Sequence, residues 1–183
     1  MKLINVVINM LSLTGLASCM GLNSCPIQMS TTKITFSEHS NSGLLISTTF
    51  EICEDSMVWS RMEPRYGWKL RDVSKCDKQD FNELLTELST IRFSARDAHD
   101  FSAGGDGWGL SFENQKGRYF HYNDKFKLSG DYERVTEKIQ EYVEKHKPKG
   151  LQLFDQLRAE PHEKGMYGDF DELPEALKAY IVK

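Results

Sequence analysis

No run of roughly 20 apolar residues occurs in this chain, so no segment has the length that a membrane-spanning helix needs. There is no basic excess: 23 Lys and Arg stand against 27 Asp and Glu, which excludes the electrostatic footprint of a nucleic-acid binder. No C-x-x-C pair or His-paired zinc spacing is present, which argues against a structural zinc site. The glycine stretch Ala103–Gly109 lacks the Lys-Ser/Thr ending of a phosphate loop, and an aromatic strand pattern rather than a helix follows it. A G-x-S-x-G elbow and a D-x-D-x-D-G calcium loop are also missing. Nothing calls for a cofactor. Neither a repeat nor a low-complexity tract appears.

The N-terminus carries the strongest signal. Lys2 precedes an apolar stretch from Leu3 to Leu16, and no acidic residue appears before Glu38. That is the layout of a secretory signal, with a basic start, a short apolar core and a small-residue end. Taken alone, the run would also suit a buried first strand or helix. It ends in Leu16-Ala17-Ser18-Cys19: an aliphatic residue, two small residues and a cysteine. This motif resembles the lipobox of bacterial lipoproteins. The resemblance implies lipidation of Cys19, removal of residues 1–18, and attachment to a membrane through an N-terminal lipid. Two or three acyl chains anchor a protein stably where one does so only marginally. The implied address is the bacterial cell envelope. With Met20 rather than Asp after the cysteine, the lipoprotein pattern points to the outer membrane of a double-membrane organism.

The chain then divides into a signal peptide at 1–18, a small, polar tether at 19–32 and one globular domain at 33–183. The remaining cysteines are Cys25, in the tether, and Cys53 and Cys76. The latter two are the better pair for a disulfide in an oxidising compartment; two separate buried thiols fit equally well.

Lys33–Phe36 alternates as a strand, and Ser40–Gly43 marks a turn. Leu44–Cys53 and Met57–Met62 form a hairpin candidate about Glu54–Ser56, and Tyr66–Val73 reads as a further strand. Phe81, Leu84, Leu85, Leu88 and Ile91 recur at helical spacing over 77–91, with Ser74 or Asp77 as cap. A second hairpin runs through Leu110–Phe112 and Arg118–Tyr122. Helices follow from Asp131, over Leu151–Leu157, and after Pro174. The order predicts an α+β fold: an antiparallel sheet of about five or six strands with two or three helices mainly on one face.

Chemistry-bearing residues are sparse. Asp97, His99, Asp100 and Asp106 are the densest group of metal-ligand or acid–base types, in a stretch that also reads as a polar surface loop. Trp59, Trp108, Tyr119 and Tyr122 are the side-chain types that dominate binding hot spots, and they would form a patch if one sheet face were open. The expectation is a non-enzymatic binding domain, an inhibitor or immunity-type protein or an envelope assembly factor, with an envelope protein or ligand as its partner. The rival is a lipid-anchored hydrolase or metal-dependent cell-wall enzyme built on the His99 group.

Overall fold

Along Thr31–Asn41 (β1) the side chains of Ile34 and Phe36 are buried while Thr35 and Ser37 are only half covered. A strand with one face on a core demands this period of two. A computed structural model describes residues 27–41, 45–63, 67–91, 107–124, 131–159 and 172–182. The same alternation runs through Ser56–Glu63 (β3) and Trp68–Lys75 (β4), and Leu45–Cys53 (β2) buries Phe50 and Ile52 beside half-covered neighbours; Gly107–Asn114 (β5) is instead buried at every position from Trp108 to Phe112, and Gly117–Asp124 (β6) completes the set. All six pair antiparallel in the order β4-β3-β2-β1-β5-β6. The first four strands form a meander. The helix Lys78–Ser89 (α1) then carries the chain across to the far side of β1, so β1 lies between β2 and β5.

Local chemistry fixes the corners. Asn114 accepts from the Lys116 amide, and Gly117 takes a positive φ of 110° to close the β5–β6 turn. Asp77, not Ser74, caps α1: it accepts from the Gln79 amide at 2.7 Å, whereas Ser74 belongs to β4.

The inward face of the sheet carries Ile34, Phe36, Phe50, Ile52, Met57, Trp59, Leu70, Leu110, Phe112 and Phe120, all buried. Against it pack α1, the helix Asp131–Lys145 (α2) and the helix Lys149–Ala159 (α3). Tyr132 of α2 lies 5.6 Å from Trp108, and Phe154 of α3 lies 5.9 Å from Trp59. The α+β arrangement read from the sequence is the arrangement found. Asp80 joins α1 to α2, its carboxylate meeting Lys145 at 2.8 Å and His146 at 3.0 Å.

Ile27 is already in the core and β1 starts at Thr31, so packed structure begins ahead of Lys33. At the other end, the short helix after Pro174 is a 3-10 helix, Glu175–Tyr180. Ile181 then pairs with Leu70, and the Val182 amide donates to the Lys69 carbonyl at 2.8 Å, covering part of the β4 edge.

Asp72 of β4 accepts from the Gly150 amide at 2.7 Å and so holds the start of α3, where free amides and the helix dipole favour a carboxylate. A Cβ on Gly150 would lie 2.8 Å from the Tyr180 ring. Gly150→Ala is therefore expected to destabilise the fold by about 1–3 kcal/mol and to loosen the tail. Urea unfolding together with hydrogen exchange at the Val182 amide would measure both. An unchanged midpoint would show that Tyr180 yields freely.

Candidate functional site

Three apolar-to-polar switches coincide on the inward face. β1 runs Ile34, Phe36, Glu38; β2, read backwards, runs Ile52, Phe50, Thr48; β3 runs Met57, Trp59, Arg61. Register places Glu38 opposite Thr48, and Thr48 opposite Arg61, so the three polar residues form one row across adjacent strands. Above this row α2 and α3 leave an open cleft of about 360 Å³. Gln140, Val143 and Glu144 of α2 and Phe154, Asp155 and Arg158 of α3 form its other wall.

The row is wired into the wall. Arg61 donates to Thr48 Oγ1 at 3.0 Å and to Glu63 Oε1 at 2.6 Å, and its guanidinium lies 4.8 Å over the Phe154 ring. Arg61 is 8% exposed and Glu63 only 1%, so this is a buried ion pair. Arg158 approaches the same ring to 5.8 Å from the rim. Lys147, at the junction of α2 and α3, bridges Asp155 at 2.7 Å and Glu144 at 2.9 Å.

Glu38 differs from these. It is reachable from solvent, yet the neighbouring walls desolvate it enough to push its carboxyl above the usual carboxylate range. A hydrogen bond from Gln140 and the charge of Arg61 oppose that push without cancelling it.

The residues singled out from sequence fall elsewhere. Trp59 and Trp108 are buried on the helix-covered face, so they are core residues and not an exposed patch. Tyr119 is half-buried beside a bulge in the β5–β6 pairing, its hydroxyl 2.6 Å from Thr31 Oγ1. The Tyr122 side chain lies outside the described residues. Among the described residues the open face carries Ser, Thr and ion pairs such as Lys33–Glu113, with Met62 and Val73 its exposed large apolar side chains. Cys53 and Cys76 are free thiols: the first projects from β2 on the open face, the second lies toward Tyr142 on the helix side. Burial pushes both thiols up, which disfavours the nucleophilic thiolate. Asp97, His99, Asp100 and Asp106 lie outside the described residues. Among the described residues no three His, Cys, Asp or Glu side chains converge to hold a metal ion, and no helix is long and apolar enough to cross a membrane.

The cleft was missed in the sequence because it needs the register of three strands. Its only local trace is a polar residue two positions from each inward aromatic. Comparison with protein-family models, with curated proteins and with solved structures finds no match for this chain.

Proposed function

We propose that this chain is a lipid-anchored domain of the bacterial cell envelope that acts by binding a partner, as an inhibitor or immunity-type protein or as an envelope assembly factor. The observation that carries the binding reading is the cleft over Glu38, Thr48 and Arg61, a concave site with an aromatic wall and a few convergent polar groups. The lipobox-like Leu16-Ala17-Ser18-Cys19 supports the anchor.

Two measurements test the two halves. Intact mass and membrane fractionation of the native protein and its Cys19→Ser variant test the anchor. The expected result is loss of residues 1–18 with acyl mass on Cys19, and release of the variant from the membrane. An uncleaved soluble wild type would end that half of the reading. A photo-crosslinking amino acid at Gln140, on the cleft wall, should capture a discrete envelope protein in cells. One at Lys116, in the distant β5–β6 turn, should not. Equal labelling from both positions would remove the cleft as the binding site.

A further inference from the structure

The cleft is unevenly charged. Arg61 is matched within the wall by Glu63, and Lys147 on the rim by Asp155 and Glu144. Glu38 has a neutral amide, Gln140, and the field of an Arg61 guanidinium on the far side of β2 whose Nη1 and Nη2 already bond Thr48 and Glu63. The carboxylate is thus under-compensated at the most exposed position of the row. The wall beside it also holds an unspent donor. Trp59 is fully buried and its indole N–H has no hydrogen-bond partner. A bare metal ion would use the acceptor and leave the donor idle. A cation borne on a peptide brings its own carbonyl oxygen.

Resting on the binding reading above, we infer that the cleft receives an arginine or lysine side chain of a basic protein partner, its charged end meeting Glu38 and its methylene stem lying along Val143 and Phe154. The volume, about a dozen waters' worth at about 30 Å³ each, suits one such side chain and not a folded element. An anion is the poorer fit, because Arg61 is buried and ion-paired with Glu63, Lys147 on the rim is held by two carboxylates, and Arg158 is the remaining cation that lines the cleft.

The desolvated carboxyl supplies an independent signature. A carboxyl raised above its unfolded value weakens the empty fold at pH above its folded pKa, and protonation relieves this as pH falls through that value. Glu38→Gln should therefore unfold at pH 7 no earlier than wild type, while losing the guest.

The test is a titration of the membrane-extracted protein in detergent, followed at the Trp59 indole N–H by NMR. The probes are blocked tripeptides with a central arginine, lysine, norleucine or glutamate. Arginine and lysine peptides should bind saturably, at least tenfold tighter than norleucine, and more weakly as salt rises. Glu38→Gln should weaken them at least tenfold and Gln140→Ala should leave them bound, with circular dichroism unchanged. Equal binding of norleucine, tighter binding of glutamate, or an unaffected Glu38→Gln would overturn the inference. Crosslinking at Gln140 keeps the two failures apart. A captured partner without arginine or lysine peptide binding removes the cationic guest and leaves the binding reading. Peptide binding without a captured partner does the reverse.

Discussion

Glu63→Ala is expected to destabilise the protein by about 3–5 kcal/mol, because it removes the carboxylate that pairs with the buried Arg61 guanidinium. Glu63 is 1% exposed and its Oε1 stands 2.6 Å from Arg61 Nη2. Phe154 covers one face of the guanidinium at 4.8 Å, which limits the water that can take the carboxylate's place. Paired removal behaves differently. Arg61→Met with Glu63→Leu takes both charges away and leaves apolar volume, so it should recover most of the loss; such replacements of buried pairs are often neutral or stabilising. Urea unfolding of the two single variants and the double variant gives the coupling directly. A Glu63→Ala cost below about 1 kcal/mol, the range of an exposed pair, would mean that the pair is solvated in solution.

Trp59→Ala is expected to cost a similar amount, about 3–5 kcal/mol, for a different reason. Trp59 is the largest fully buried side chain, and Phe154 packs on it at 5.9 Å. Truncation leaves a void between β3 and α3 that the sheet, pinned on both sides of β3, fills poorly. Trp59→Phe keeps most of the apolar contact and also removes an indole N–H that has no partner. It should therefore cost far less than the alanine variant. Near-UV circular dichroism and unfolding midpoints for both variants would check this. Equal losses would mean that the indole N–H is bonded in solution.

Residue pattern alone specified most of the architecture. The period of two in Leu45–Cys53 and Ser56–Glu63 and the stripe Phe81, Leu84, Leu85, Leu88 reflect burial, and burial is what decides these elements. Other features depend on long-range pairing that no window of sequence contains. β1 pairs with β5 some 75 positions later, through Ile34 and Phe112 among others, and nothing local to β1 marks it as central. Trp59 and Trp108 were ambiguous for the same reason. An aromatic in a strand suits either face until register assigns one, and here Trp59 shares its face with Phe50 and Trp108 with Glu38. After Pro174 the short last helix is found over Glu175–Tyr180, while the bridge from Ile181 to Leu70 is a long-range contact that no local pattern announces.

That late pairing also has a consequence in time. Leu70 meets Ile181 111 positions further along the chain. Until that tail docks, the β4 edge is complete but uncovered. An open edge on a nascent sheet is a template for a neighbouring chain. Lys69, Arg71 and Lys75 along β4 carry the same sign of charge, and two such edges repel one another during that interval. The basic strand thus serves as a temporary guard, and the tail takes over its duty when it arrives.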